Sequence, residues 1–149
     1  MSLEFVFCTR FYEISAVDIT LHILRKECMI MILVGIDIGK NQHTFSIIDK
    51  NTGEILSNPS FFPNNREGFL FLIKKLNTYS KSDLLIGMED TGHYHFALLK
   101  HLLDSRYTVA LINPTTTDLT RKLQGGITKN DPLDSLTICD VIGSNQHNK

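Results

Sequence analysis

The apolar positions of residues 31–62 fall into three short runs that are typical of β-strands, because they are rich in β-branched residues or alternate with polar positions. The runs cover residues 31–38, 43–49 and 54–62, and only short polar turns separate them. Strands that follow one another through such short turns pair antiparallel. This segment is therefore predicted to form a three-stranded antiparallel meander.

Beyond residue 63, apolar positions at helical spacing alternate with further short apolar runs. Asn64 and Asn65 are both suitable N-caps for a first helix. Later runs predict strands over residues 83–89 and 107–112 and helices over residues 94–104, 114–122 and 132–142. A meander followed by alternating helices and strands predicts an α/β fold, with a mixed five-stranded sheet covered by helices on both faces.

Composition limits the classes of protein that remain. The chain has 149 residues, of which 42% are hydrophobic, enough for one domain with a buried core. Its 15 basic and 16 acidic residues give a net charge of −1, so a nucleic acid would have to be bound by local basic patches. No apolar run is long enough for a membrane span. The cysteines Cys8, Cys28 and Cys139 are widely spaced, which indicates unpaired thiols and a cytoplasmic protein.

Residues 1–30 differ from the rest of the chain, because their apolar positions have mixed spacing and no clear turn separates them from the first strand. Met29 and Met31 are both suitable starts for the domain. We therefore interpret residues 1–30 as an N-terminal extension outside the domain, residues 31–142 as the domain itself and residues 143–149 as a polar tail.

Four acidic residues form a candidate site. Asp37 lies in the otherwise apolar first strand, and Glu89 closes the fourth strand. Parallel neighbouring strands end at the same edge of a sheet, so these two carboxylates are expected to be adjacent. Asp131 and Asp134 lie three positions apart in the first turn of the last helix, where Pro132 suits the first position.

Carboxylates that converge repel one another unless a cation lies among them. Oxygen ligands favour Mg²⁺ or Mn²⁺, and two such ions suit the displacement of a phosphodiester. Each acid also has a structural interpretation, because Glu89 could cap the next helix and Asp131 and Asp134 suit a helix N-terminus. His93 and His95 resemble a ligand pair, but we expect a helix-start residue and a packed imidazole.

Four segments carry a family resemblance. In order and spacing, GIDIGKNQH, GMEDTGHYHFALLKHLL, VALINPTTTDLTRK and TKNDPLDSLTICDVI resemble the N-terminal domain of the DEDD insertion-sequence transposases, which are RuvC-like recombinases guided by a structured bridge RNA. The resemblance covers residues 31–142 and implies an RNase H-like (RuvC-like) fold with a catalytic metal tetrad of Asp37, Glu89, Asp131 and Asp134. The family's last motif commonly reads KTDxxDA, and this chain keeps both acids but changes their neighbours.

The resemblance also implies an activity and its partners. It implies metal-dependent strand transfer in DNA transposition with two Mg²⁺ or Mn²⁺ ions, DNA and a structured guide RNA as partners, a homo-oligomer in the full-length protein, and no membrane. Relatives carry a C-terminal domain whose serine attacks DNA. We expect that domain to be absent from this chain, which would then be inactive alone.

Two other functions remain open. GIDIG also opens the phosphate loop of actin-like ATPases and sugar kinases, but these need a second glycine-rich loop, for which only residues 124–126 qualify. The chain could instead be a non-catalytic fragment that binds nucleic acid. The candidate phosphate contacts are Lys40, Arg121, Lys122 and Lys129, and Lys40 could equally be a solvated lysine.

Overall fold

A mixed sheet forms the centre of the structure, a computed structural model that describes residues 5–6, 30–123 and 131–144, with the side chains of residues 30–123 and 134–144. The strand order across the sheet is β1-β6-β5-β2-β3-β4. The strands are β1 (Phe5–Val6), β2 (Ile32–Asp37), β3 (Gln42–Asp49), β4 (Ile55–Pro63), β5 (Leu84–Glu89) and β6 (Val109–Ile112).

The pairing within the sheet divides it into two halves. Strands β2, β3 and β4 pair antiparallel in sequence order, whereas β2, β5 and β6 pair parallel. The predicted meander and the predicted parallel half are therefore confirmed, and β2 to β6 form the predicted five-stranded mixed sheet.

One further strand was not predicted. The two-residue strand β1 pairs antiparallel with β6 and lies at the edge of the sheet. It comes from the segment that the sequence placed outside the domain, so two residues of that segment extend the sheet. The rest of residues 1–29 lies outside the described part of the chain, and the expectation that it does not belong to the domain stays a prediction.

In residues 30–123 and 131–144, four α-helices connect and cover the strands. They are α1 (Arg66–Leu76), α2 (Phe96–Asp104), α3 (Pro114–Leu123) and α4 (Asp131–Ser144), and a 3₁₀ turn (Lys81–Asp83) precedes β5. Of the two predicted N-caps, Asn65 is the one used, because its side-chain oxygen accepts a hydrogen bond of 2.9 Å from the backbone N–H of Gly68.

Alternate residues of each strand face two separate cores, as the pleat requires. Val34 and Ile86 contribute to the core under α1 and α2, and Leu33 and Leu85 to the core under α4. Helices therefore cover both faces, and among the described residues the helical part of the second core comes from α4, through Ile138, Cys139, Val141 and Ile142.

A row of small residues runs across the sheet beneath α4. In the strand register Ser46 lies opposite Gly35, Gly35 opposite Gly87, and Gly87 opposite Ala110. A Cβ atom on Gly35 would lie 2.0 Å from the carbonyl oxygen of Ser135 in α4. The hydroxyl oxygens of Ser46 and Ser135 form a buried hydrogen bond of 2.6 Å. The row therefore lets the backbone of α4 lie directly on the sheet.

Cys139 of α4 is a free, buried thiol in this contact. Its Sγ lies 3.8 Å from the carbonyl oxygen of Leu33 and 3.7 Å from that of Ser46. Burial raises the pKa of the Cys139 thiol to about 12, so it stays protonated and acts as a small apolar residue. Cys8 and Cys28 lie outside the described residues.

None of the helices in the described part of the chain is long and apolar enough to cross a membrane.

The contact between α4 and the sheet predicts very different losses of stability for two glycine-to-alanine changes. Gly35→Ala places a methyl group against a backbone carbonyl, so we expect it to lower the free energy of unfolding by about 3 kcal/mol or more. Gly143→Ala, in α4, meets only the flexible end of Leu33 at 2.9 Å and gains helix propensity, so we expect a change within about 1 kcal/mol of the wild type. Urea unfolding measures both, and equal losses would show that α4 does not approach Gly35 closely.

Candidate functional site

Asp37 and Glu89 end two neighbouring parallel strands. The last paired residues of β2 and β5 are Ile36 and Met88, and the next residue in each strand is the acid. Both acids lie two residues beyond the glycines of the small-residue row, so the pleat directs them to the face that carries α4. Both are half-buried. The structure thus brings these two predicted site residues together at one edge of the sheet.

Asp134 approaches the same edge from α4. It lies in the first turn of the helix and is buried, with 2% of its surface exposed. The carbonyl oxygen of the next residue, Ser135, lies over Gly35, two residues before Asp37. Asp131 begins α4, but its side chain lies outside the described residues, so its place in the site stays a prediction.

Arg121 of α3 lies among these acids, which the sequence did not predict. Its Nη2 is 2.8 Å from Oδ1 of Asp134, and its Nη1 donates a hydrogen bond of 2.6 Å to Oδ1 of Asp118. Burial works to lower the pKa of Arg121, but the negative charges of Asp134, Asp118 and Glu89 outweigh it and raise the pKa above its usual value. The spacing of Asp118 and Arg121 indicates their pair, whereas nothing in the sequence indicates the pair with Asp134.

The carboxylate of Asp134 is buried without a hydrogen bond to either oxygen, so its short contact with Arg121 is an ion pair without hydrogen-bond geometry. Buried polar atoms in the neighbourhood share this property, among them Nε of Arg121, Oγ1 of Thr117 one turn earlier in α3, and Oγ1 of Thr91 two residues after Glu89. Native proteins rarely leave such atoms without a partner. Of these atoms, the two carboxylate oxygens of Asp134 are the ones whose chemistry suits contact with a cation.

The donor set fits a hard divalent cation. Asp37, Glu89 and Asp134 offer only carboxylate oxygens, which Mg²⁺ and Mn²⁺ prefer. Among the side chains that the structure describes, no three acidic, histidine or cysteine residues are already grouped closely enough to hold an ion. Asp131 is not among those side chains. The residues that could hold an ion at this edge are Asp37, Glu89 and Asp134, with Asp131 as the fourth predicted ligand.

The loop after Asp37 is held by main-chain and side-chain contacts. The backbone N–H of Gly39 donates a 3.2 Å hydrogen bond to Nδ1 of His43, and the side chain of Asn64 donates one of 3.1 Å to the carbonyl oxygen of Lys40. His43 is fully buried, and burial lowers its pKa, although a hydrogen bond with Asn64 acts in the opposite direction. A neutral imidazole is therefore available to fix the backbone next to Asp37, a role that the sequence analysis missed.

The predicted basic contacts have different surroundings. The side chains of Lys40 and Lys122 are exposed, as a phosphate contact requires, and Lys129 lies outside the described residues. Arg121 is instead engaged by two carboxylates. The roles of all four in binding nucleic acid stay predictions.

The two histidines after Glu89, His93 and His95, lie in different surroundings. His95 is buried, and its Nε2 lies 3.4 Å from Oδ1 of Asp90. His93 is exposed beside Tyr94. The interpretation of His95 as a packed imidazole is confirmed.

Solved structures that share this fold include RuvC of Thermus thermophilus and a viral Holliday junction resolvase. RuvC of T. thermophilus in complex with a Holliday junction substrate matches with a TM-score of 0.55 and 10% identity, over 78% of this chain and 94% of that chain. A second Thermus thermophilus RuvC structure matches with a TM-score of 0.56 and 12% identity, over 80% of this chain and 98% of that chain. The fowlpox virus Holliday junction resolvase matches with a TM-score of 0.51 and 14% identity, over 77% of this chain and 99% of that chain. The chain therefore has the RuvC-like form of the RNase H fold, as its sequence predicts.

The family is defined by sequence. The family model of the IS110-type DEDD proteins, described as "Transposase", matches residues 34–149. The pilin gene-inverting proteins of Moraxella lacunata and Moraxella bovis are each 30% identical over 107 residues, which is 70% of this chain and 32% of theirs. The chain belongs to the IS110-type DEDD transposase family, and it spans about a third of the length of these relatives. This membership favours the transposase interpretation over the ATPase and sugar-kinase alternative.

The ion pair between Arg121 and Asp134 predicts coupled effects on stability. In metal-free buffer, Arg121→Gln leaves a buried carboxylate without its counter-charge, so we expect the free energy of unfolding to fall by about 3 kcal/mol. In the double variant with Asp134→Asn the loss should be smaller than the sum of the two single losses, by about 1 kcal/mol or more. Arg66→Gln, at an exposed arginine, is the control and should change stability by less than about 0.5 kcal/mol. Strictly additive losses would mean that the pair does not form in solution.

Proposed function

We propose that residues 31–142 are the metal-dependent nuclease and recombinase domain of a transposase, which cleaves and transfers DNA strands during transposition. The observation that carries the proposal is the placement of Asp37 and Glu89 at the ends of neighbouring parallel strands, on the face covered by α4. Membership of the transposase family supports the proposal that these two acids belong to a nuclease site.

The proposed site residues are Asp37, Glu89, Asp131 and Asp134. When bound, two Mg²⁺ or Mn²⁺ ions would supply electrostatic stabilisation of the attacking and leaving oxygens of a phosphodiester. The protein's part is to hold its carboxylates rigidly. The sheet fixes Asp37 and Glu89, and the direct contact of α4 with the small-residue row fixes Asp134.

DNA is the proposed substrate. One relative in fold was solved with a Holliday junction, and the relatives in sequence are named for the inversion of a pilin gene. The chain has a net charge of −1, so binding would rely on a local group of basic residues near the site, and Lys40, Arg121, Lys122 and Lys129 are the candidates. A structured guide RNA and a homo-oligomer are proposed on the family resemblance alone.

The attacking group is proposed to come from elsewhere in the full-length transposase. In the family a serine of a further domain is implied as the nucleophile, and a metal site without a positioned nucleophile loses the benefit of proximity. Water can replace the serine only poorly. Slow hydrolysis is therefore the expected activity of residues 1–149, and strand exchange is not expected.

The proposal is tested by nicking of supercoiled plasmid in Mn²⁺. We expect slow nicking by the chain that EDTA and Glu89→Gln both remove, because the site then lacks its ions or one of its ligands. Asp104→Asn makes the same kind of change at an exposed carboxylate of α2 and should retain the activity. Nicking that survives Glu89→Gln would contradict the site, and recombination of paired target sites by this chain alone would contradict the proposed origin of the nucleophile.

Thermal unfolding of the same proteins gives a second readout that needs no turnover. Mn²⁺ should raise the Tm of the wild type and of Asp104→Asn by mass action, and it should not raise the Tm of Asp37→Asn. An equal shift in all three proteins would place the bound metal elsewhere.

A further inference from the structure

A positive side chain already occupies the neighbourhood of the proposed metal ligands. Arg121 contacts Asp134 at 2.8 Å, and the exposed fractions of the two side chains are only 17% and 3%. We infer that Arg121 is an internal counter-ion of the metal site, which neutralises Asp134 in the metal-free protein and is displaced when a divalent cation binds. This inference rests on the proposed function, because it takes Asp134 to be a metal ligand.

Burial explains why a counter-ion is needed. A carboxylate taken out of water requires an opposite charge close by, and removing that charge is strongly destabilising. α4 lies directly against the sheet to form one of the two cores, and this contact buries Asp134. Arg121 supplies the charge from the neighbouring helix α3.

The geometry of the pair makes Arg121 replaceable. Neither oxygen of Asp134 accepts a hydrogen bond, so the guanidinium neutralises the carboxylate without satisfying it. A divalent cation bound to the same oxygens would repel the guanidinium and would compete for the same lone pairs. Bound metal and the contact between Arg121 and Asp134 should therefore exclude each other.

Asp118 provides a place for the displaced side chain. It is bonded to Nη1 of Arg121 at 2.6 Å and is 59% exposed, so it lies on the solvent side of the guanidinium. Arg121 can release Asp134 while it keeps this second partner. The freed side of the guanidinium is then able to bind a phosphate, to which its planar geometry is suited. Metal binding would in this way create the nucleic-acid contact that the sequence predicts for Arg121.

The alternative is that Arg121 only positions Asp134 for the metal, and the two roles predict opposite effects on metal affinity. Mn²⁺ binding is measured by titration calorimetry for the wild type, Arg121→Gln, Asp134→Asn and the control Arg66→Gln. If Arg121 competes with the cation, Arg121→Gln should bind Mn²⁺ about tenfold more tightly or better. Asp134→Asn should bind it more weakly, and Arg66→Gln should match the wild type.

Unchanged or weaker binding of Mn²⁺ by Arg121→Gln would overturn the inference and leave the proposed function standing. Absence of Mn²⁺ binding in every protein, including the wild type, would overturn both.

A second measurement uses the wild type and does not depend on the folding of a variant. Phenylglyoxal modifies accessible guanidinium groups, and mass spectrometry follows each arginine separately. We expect saturating Mg²⁺ to speed the modification of Arg121 several-fold, because its contact with Asp134 is lost, while the exposed Arg66 keeps its rate. A rate at Arg121 that Mg²⁺ leaves unchanged or slows would show that the ion pair persists in the metal-bound protein.

Discussion

The close contact between α4 and the sheet is the constraint on which the rest of the structure depends. Gly35 and Gly87 lie opposite each other in parallel strands, and Ser46 and Ala110 continue the row on either side. Larger side chains in this row would lift α4 away, since a Cβ atom on Gly35 would already collide with the carbonyl oxygen of Ser135. The same contact builds one of the two cores and sets the depth at which the first turn of α4 meets the sheet edge.

The proposed site lies just beyond the contact between α4 and the sheet. Two residues beyond the glycines the strands end in Asp37 and Glu89, and the helix above them brings in Asp134. Close packing thus concentrates negative charge at one edge of the sheet, where each carboxylate disfavours the charged form of its neighbours. Arg121 offsets part of this charge. The proposed metal site would in this way keep its buried carboxylate neutralised and still offer carboxylate oxygens to a cation.

The sequence predicted the parts of the structure that depend on local pattern and on a general rule of sheets. Asp37 and Glu89 could be paired in advance because each closes an apolar strand, and parallel strands end at a common edge. The contact of Arg121 with Asp134 could not be predicted, because it depends on how α3 and α4 pack against each other, and the spacing of apolar residues does not determine that packing. The role of Gly35 could not be predicted for a similar reason, because the row of small residues is recognised only when the pairing of the strands is known.

The central claim is that the edge formed by Asp37 and Glu89 is a metal centre. A crystal structure of the chain grown with Mn²⁺, examined by anomalous diffraction at the manganese edge, tests it most directly. The account predicts an anomalous peak within bonding distance of carboxylate oxygens of Asp37 and Glu89, with Asp134 turned towards it. Full Mn²⁺ occupancy elsewhere on the protein, with no peak at this edge, would contradict the account.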